Sequence, residues 1–181
     1  MSRVPELAAD TLTPEQKRIR DEIASARSGQ ARGPFGVWLR VPAIADAANK
    51  LGNVLRRGSR FEPRLFELMV LVIVRHWSAH YAWNVHEAAA RQGGLAPAII
   101  DAIRERRRPE FARDDERVIY DTIAELSEQR GLSQATYDRA LAAFGQEMLI
   151  ELIAGAGFYT MVAMTLDAFD VDMTAGGKKL P

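Results

Sequence analysis

All three histidines of the chain lie in one segment of eleven residues, together with two of the three tryptophans. The histidines are His76, His80 and His86, and the tryptophans are Trp77 and Trp83. Histidine is the side chain that changes charge most readily near neutral pH, so such a cluster is a candidate site of proton transfer. The alternative is structural: at a helix–helix contact, His76 and Trp77 would be satisfied by backbone carbonyls.

A carboxylate upstream gives His86 a candidate partner. Glu67 lies between Phe66 and Leu68 in an apolar stretch, where a carboxylate is costly to bury without a partner. In one straight helix Glu67 and His86 would be about 28 Å apart. If the chain reverses at Trp77, the two side chains lie ten residues before and nine after the turn, at the same level. We predict that Glu67 and His86 are catalytic and exchange protons with a substrate. The alternative is a buried hydrogen bond that only ties two helices.

The same segment also suggests a metal site and a nucleophile, but both are weaker candidates. His76 and His80 have the i, i+4 spacing of two ligands, yet the expected reversal falls between them and no third ligand is suitably spaced. Ser78 has no base or oxyanion hole at recognisable spacing and is expected to cap a helix. The sequence has no glycine-rich phosphate loop of either common type. We therefore expect no metal and no cofactor.

A basic run from Arg104 to Arg108 contains four arginines and one glutamate. One interpretation is that it contacts an anionic partner. The other is that it is a solvated helix end, where positive charge also suits the helix dipole. The sequence leaves both interpretations open.

Composition limits the functions that are open to the chain. Lys plus Arg and Asp plus Glu both number 24, and this balance argues against a broad nucleic-acid-binding face. The absence of cysteine excludes disulfides and thiol chemistry. The longest uncharged stretch, Leu152–Leu166, is shorter than the roughly 18 apolar residues typical of a membrane span. We expect a soluble, cytoplasmic protein with no nucleic-acid or membrane partner.

Proline, glycine and capping residues divide the chain into helices, and no segment alternates regularly between apolar and polar residues. We predict a single all-α domain over residues 1–181, with a loop at 33–36 and a frayed tail within 171–181. The similar sequences 66–68 and 150–152 either reflect two buried helices or indicate a duplicated helical hairpin. The predicted helices are 14–26 with an end near Gly29, 42–58, 63–77, 78–93, 97–108, 114–130, one that begins at Ser133, and 146–169.

The stretch from Glu67 to His86, with Gly93 beyond it, resembles the core motif of the carboxymuconolactone decarboxylase family, which includes the alkylhydroperoxidase D-like proteins. The resemblance covers most of residues 30–170. It implies an all-α fold built around an antiparallel helical hairpin. It also implies a homo-oligomer, a trimer or a hexamer, with sites near the subunit contacts.

In the peroxidase branch of that family a glutamate precedes a Cys-x-x-Cys pair, and a histidine follows the second cysteine by four residues. Glu67 and His86 match the glutamate and the histidine, whereas Ala79 and Ala82 occupy the two cysteine positions. Dithiol peroxidase activity is therefore excluded. The decarboxylase branch also lacks the cysteine pair and uses acid–base residues, but it is typically shorter and lacks a segment like 75–83.

These observations favour a cofactor-independent acid–base enzyme that decarboxylates, isomerises or opens a small organic acid or lactone. The alternative is a non-catalytic ligand-binding or scaffold protein. Apolar residues cover nearly the whole circumference of the last helix, and this surplus also favours a homo-oligomer. Seven further residues are predicted to bind the substrate as polar contacts, a carboxylate clamp and apolar walls: His80, Tyr81, Arg40, Arg75, Trp83, Phe35 and Trp38.

Overall fold

The computed structural model describes residues 2–26, 31–173 and 176–181. All the regular structure in these ranges is helical, so the predicted all-α class is confirmed. A 3₁₀ turn at Ala9–Thr11 precedes the α-helices. These are α1 (Pro14–Ala26), α2 (Pro34–Trp38), α3 (Pro42–Arg57), α4 (Pro63–His76), α5 (His80–Gln92), α6 (Pro97–Arg104), α7 (Asp114–Gln129) and α8 (Gln134–Ala168).

Local sequence signals explain where most helices begin. Thr13 and Gln16 form a capping box at the start of α1, in which each side chain accepts a hydrogen bond from the other residue's backbone N–H. Proline is the first residue of α3, α4 and α6, where its missing N–H costs nothing. Ser133 precedes α8 and accepts a hydrogen bond from the Thr136 backbone. The predicted helix end near Gly29 lies outside the described residues.

Three local predictions are wrong. Residues 33–36 do not form a loop throughout, because Pro34 begins the short helix α2. Ser78 is not a helix cap: Ala79 precedes α5, and Ser78 has a left-handed φ of 55° within the reversal. The described part of the tail is not frayed, because Leu180 is only 8% exposed and its N–H donates to His80 Nδ1 at 3.0 Å.

The chain divides into two compact units, and the prediction of one domain over residues 1–181 stays a prediction. The first unit contains the described parts of Met1–Gly58 together with Thr165–Asp172. In it, α3 packs against α1 and α2. Ile19 and Ile23 of α1 are fully buried, four residues apart on one helix face.

The second unit contains Ser59–Met164 and the described part of Met173–Pro181, and α4 is its central helix. This helix is buried from Arg64 to Arg75 and packs against α5, α6 and α7. The Arg64 guanidinium pairs with Glu116 at 2.7 Å and Asp115 at 2.8 Å, which fixes α4 to α7. Burial alone would lower the pKa of Arg64, but its hydrogen bonds to Asp115 and Glu116 raise it.

The last helix, α8, is interrupted at Gly145, which has a non-helical φ of 73° and ψ of 170°. This break coincides with the predicted boundary before Gln146. By length and composition α8 could cross a membrane, but 56% of its most apolar window is buried inside the protein. Such burial is typical of the core helix of a soluble protein.

Candidate functional site

The reversal between α4 and α5 creates the predicted helical hairpin. Only Trp77, Ser78 and Ala79 separate the two helices. The Ala79 N–H donates to the Val74 carbonyl at 2.9 Å, which closes the turn. The left-handed backbone at Ser78 allows the chain to reverse within so few residues.

The hairpin brings Glu67 of α4 against His86 of α5. Their Oε2 and Nδ1 atoms are 2.7 Å apart, and each residue is only 6% exposed. The close approach expected from the turn is therefore found, and the catalytic role of the pair stays a prediction. Because Glu67 uses Nδ1 of the imidazole, Nε2 is the nitrogen through which His86 can exchange a proton with a ligand.

Aromatic rings from α8 and α4 surround this pair. The Tyr159 ring stands at 90° to the His86 ring with 5.0 Å between centroids, and it also contacts Phe66 at 5.9 Å. Phe158 lies edge-on to Tyr159 at 5.5 Å. Sequence patterns did not predict Tyr159 as a neighbour of His86, since 73 residues separate the two positions. Two signals pointed to this helix: the similarity between segments 66–68 and 150–152, and the family resemblance, which extends over it.

Trp83 and Glu87 stabilise the same stretch of α5. Trp83 is 1% exposed, and its Nε1–H donates to Glu87 Oε2 at 2.9 Å. Glu87 also pairs with Arg91 and Arg104, and Arg104 lies over the Trp83 ring. Burial alone would raise the pKa of Glu87, but the hydrogen bonds from Arg104, Arg91 and Trp83 outweigh it and lower that pKa. Trp83, which was predicted to form an apolar wall of the substrate pocket, is therefore buried within the second unit.

The predicted contacts Arg75, His80 and Tyr81 lie near the turn of the hairpin. Arg75 is eight residues from Glu67, or about 12 Å along α4. Its guanidinium donates to the backbone oxygens of Arg104 at 2.6 Å and Pro181 at 2.9 Å. A carboxylate clamp at Arg75 would compete with these bonds. Tyr81 is partly buried, as is His80.

The tail packs beside this turn. Asn84 accepts from the Lys178 N–H at 2.9 Å and donates to the Lys178 carbonyl at 2.8 Å. Ala79 and Ala82, which stand where the peroxidase branch has cysteines, are 0% and 3% exposed. In this chain, the two positions are therefore buried methyl groups.

The other three predicted contacts belong to the first unit. Phe35 and Trp38 are buried there and meet edge-to-face at 5.1 Å. Trp38 Nε1–H donates to Thr165 Oγ1 at 3.0 Å. Arg40 donates to the backbone carbonyls of Gly36 and Pro5. Their participation in one site with Glu67 and His86 stays a prediction.

Across residues 2–26, 31–173 and 176–181, no three His, Asp or Glu side chains are grouped in a way that could hold a metal ion. The buried acidic and imidazole groups are used in pairs with each other or with arginine. A carboxylate that is hydrogen-bonded to an imidazole, as Glu67 is to His86, is an arrangement that can transfer a proton.

Comparisons with solved structures identify the fold. Over 96% of this chain and 92% of the other, the protein is similar to an uncharacterized peroxidase-related protein from Silicibacter sp. TM1040, with a TM-score of 0.77 and 19% identity. A peroxidase-related protein from Ralstonia eutropha JMP134, described as an alkylhydroperoxidase AhpD core, gives a TM-score of 0.78 at 13% identity over 96% and 92% of the two chains.

A third similar structure is a cysteine-to-alanine variant of the debrominase Bmp8 in complex with 2,3,4-tribromopyrrole. It has a TM-score of 0.76 and 15% identity over 97% of this chain and 95% of that chain. No family model and no curated protein sequence matches the chain. The class defined by these likenesses is the all-α, alkylhydroperoxidase D-like fold, as predicted. This chain has that fold without any cysteine.

Proposed function

We propose that the protein is a cofactor-independent acid–base enzyme of the carboxymuconolactone decarboxylase-like group. Its substrate is a small organic acid or lactone, which it decarboxylates, isomerises or opens. The observation that carries the proposal is the buried contact of 2.7 Å between His86 Nδ1 and Glu67 Oε2. Thiol-dependent peroxidase or reductive chemistry is not part of it, because the chain contains no cysteine.

In the proposed mechanism, His86 transfers the proton and Glu67 positions it. With Nδ1–H donated to the Glu67 carboxylate, Nε2 carries the lone pair that accepts a proton from the substrate. The imidazolium formed in this step is stabilised by the adjacent carboxylate, in the way that an acidic residue supports the histidine of a catalytic triad. The same imidazolium then returns the proton to a developing carbanion or a leaving oxygen.

Two features support a small, partly apolar substrate. The rings of Tyr159 and Phe66 provide an apolar environment in which the charge of the pair interacts strongly. A structure with the same fold, the debrominase, binds a small ring compound. Both features suit a compact organic molecule better than a polymer.

The test is solvent-deuterium incorporation. Small organic acids and lactones are incubated with the protein in D₂O, and NMR records exchange, ring opening and loss of carboxylate. We expect His86→Ala to lower turnover by about 10² to 10⁴-fold, the usual contribution of a general acid–base residue. Glu67→Gln is expected to lower turnover by a smaller factor, because it keeps an oxygen acceptor but not the negative charge.

The matched control is His76→Ala, since His76 is exposed at the end of α4 and is not paired with Glu67. This variant should keep turnover within about twofold of the unmodified protein, below the effect of any acid–base residue. Full turnover in both His86→Ala and Glu67→Gln, with both variants folded by circular dichroism, would refute the assigned roles.

A second candidate function is non-catalytic binding. The side chains of His86 and Glu67 are only 7% and 8% exposed, so the pair can serve as a tie between α4 and α5. Thermal-shift measurements with the same compounds separate the two functions. A compound that raises the melting temperature without being consumed would favour the binding protein.

A further inference from the structure

One face of α8, in the second unit, carries five exposed residues that are spaced alternately four and three positions apart. We call this face the α8 stripe, and its members are Ile150, Ala154, Gly157, Met161 and Met164. Each of its three large residues is at least 37% exposed. The alternating spacing is that of positions a and d in a heptad repeat, the pattern through which one helix packs along another.

The stripe lies in a part of α8 that carries no charge. No Asp, Glu, Lys or Arg occurs between Leu152 and Leu166, a range that contains four of the five stripe residues. In paired helices, charges beside the apolar seam select the partner and its orientation. Because such charges are absent here, the sizes of the stripe residues decide which helix fits the stripe and in which direction.

The order of sizes along the stripe is self-complementary. Ile150 lies seven residues before Gly157, and Met164 lies seven residues after it. In an antiparallel pair with a two-fold axis beside Gly157, Ile150 of one copy faces Met164 of the other. Ala154 then faces Met161, so a small side chain lies opposite a large one. A parallel pair would place Met161 on Met161 and Ala154 on Ala154, which crowds one level and leaves a void at another.

Gly157 provides an independent observation at the centre of the stripe. Glycine inside a helix is less favourable than alanine, because it loses more conformational freedom on folding. Among the described residues, no atom of another element lies within 4 Å of the position that a Cβ at Gly157 would occupy. Packing within the described chain therefore does not require glycine here. What glycine allows at this position is the close approach of a backbone from outside the chain.

We propose that the α8 stripe pairs with the α8 stripe of a second copy of this chain, antiparallel and about a two-fold axis beside Gly157. The occupant is another copy because the same five residues supply both halves of a complementary surface. Such a contact joins chains in pairs. A trimer contains no two-fold axis, whereas a hexamer made of two trimers does, so the contact selects the hexamer from the two expected assemblies.

Disulfide trapping tests the pairing without background, because the chain has no cysteine of its own. A disulfide needs two Cα atoms within about 7 Å of each other, which residues beside the axis of two closely packed helices satisfy. Gly157→Cys should therefore form a disulfide-linked pair of chains on mild oxidation, read on a non-reducing gel. Ala142→Cys is the matched control and should stay unlinked, because Ala142 is exposed on α8 but lies outside the stripe.

Two further variants determine the direction of the pairing. Differently tagged, co-expressed chains that carry Ala154→Cys and Met161→Cys should cross-link to each other, since these positions face each other in the antiparallel pair. Ala154→Cys alone should not cross-link, because the two-fold axis separates the two copies of this position by about 10 Å along the helix. Efficient linking of Ala154→Cys alone would show a parallel pair and overturn the proposal.

Light scattering of Gly157→Glu provides a second measurement. This change places two carboxylates face to face at the axis, where burial makes them costly. The mass should fall to half that of the unmodified protein while the helical signal in circular dichroism remains. An unchanged mass in folded Gly157→Glu, or no link in Gly157→Cys, would overturn the proposal. A link between Gly157→Cys and Leu51→Cys would also overturn it, since Leu51 lies exposed on α3. A monomeric unmodified protein that co-sediments with phosphatidylcholine vesicles would assign the stripe to a lipid surface instead.

Discussion

At the scale of single residues, several buried or partly buried acidic groups have specific partners. Glu67 contacts His86, and Glu116 pairs with Arg64. Glu87 is shared between Trp83 and two arginines. Such pairing is what makes a carboxylate tolerable in an apolar helix. It also makes the free energy of unfolding depend on pH.

Stability should fall in acid because Glu87 and Asp115 have lowered pKa values in the folded protein. Burial opposes the shift of Asp115, but its hydrogen bonds with Arg64 and the Glu116 backbone lower its pKa. A lowered folded pKa adds stability that is present above the unfolded value, about 4, and is lost as the pH falls through the folded value.

Chemical denaturation between pH 7 and pH 2 measures this dependence. Below about pH 4, the free energy of unfolding should decrease less steeply in Glu87→Gln than in the unmodified protein, because the variant has no carboxylate to protonate at this position. Glu147→Gln is the control, since Glu147 is exposed and pairs with the exposed Arg60. An unchanged slope in Glu87→Gln would contradict the assigned pairing.

At the scale of elements, the break in α8 depends on one glycine. Gly145 has a φ of 73°, where a side chain on an L-residue is strained, although a Cβ there would meet no atom within 4 Å. We expect Gly145→Ala to lower the free energy of unfolding by about 1–3 kcal/mol, because this combination of positive φ and extended ψ is essentially restricted to glycine.

Gly157 provides the matched control in the same element. It lies in helical backbone, and a Cβ there would also meet no atom of the chain within 4 Å. Gly157→Ala should be neutral or stabilising by up to about 1 kcal/mol. Urea denaturation compares the two variants, and equal effects would show that the backbone angle at Gly145 is not the cause.

The tail is a second element whose position rests on few contacts. Asn84 holds both backbone groups of Lys178, and the Leu180 N–H is bonded to His80. Asn84→Ala should therefore accelerate hydrogen exchange at the Lys178 amide, which loses its acceptor. Asn53→Ala, on α3 of the other unit, should leave that amide protected. Fast exchange of Lys178 in the unmodified protein would contradict the docked tail.

At the scale of the whole molecule, an exposed apolar stripe favours the predicted homo-oligomer. Ile150 is 61% exposed and Met164 is 50% exposed, and the small residues Ala154 and Gly157 lie between them on one face of α8. Gly155 is not part of this stripe, because its missing Cβ makes room for Met69 of the same chain.

We expect light scattering to find a trimer or a hexamer at micromolar concentration. Introducing charge into the stripe with Ile150→Glu and Met164→Glu together should lower the oligomer mass while the helical signal in circular dichroism remains. Ala142→Glu, exposed on α8 before Gly145, is the control. A monodisperse species near the chain mass of 20.1 kDa would refute the oligomer.

Local sequence signals are sufficient to predict the all-α class, most helix boundaries and the approach of Glu67 to His86. Each of these depends on local signals: proline at the first helical position, glycine at the breaks, and equal arm lengths around a turn. The absence of cysteine from the sequence is sufficient to exclude thiol chemistry. The prediction of a loop at 33–36 was wrong because glycine followed by proline is typical both of a turn and of the start of a short helix.

The surroundings of these residues, in contrast, depend on packing between helices. Contacts such as Tyr159 on His86, Arg106 beside Arg75, and Leu180 on His80 join positions far apart in the chain. Sequence periodicity specifies which face of a helix is apolar, but not which other helix covers it. The tail is an example. Its polar composition predicts fraying, but the side chain of Asn84 forms hydrogen bonds with the backbone N–H and carbonyl of Lys178 and holds the tail in place. The partners of a buried group are set by packing between elements, and packing is a property of the folded chain.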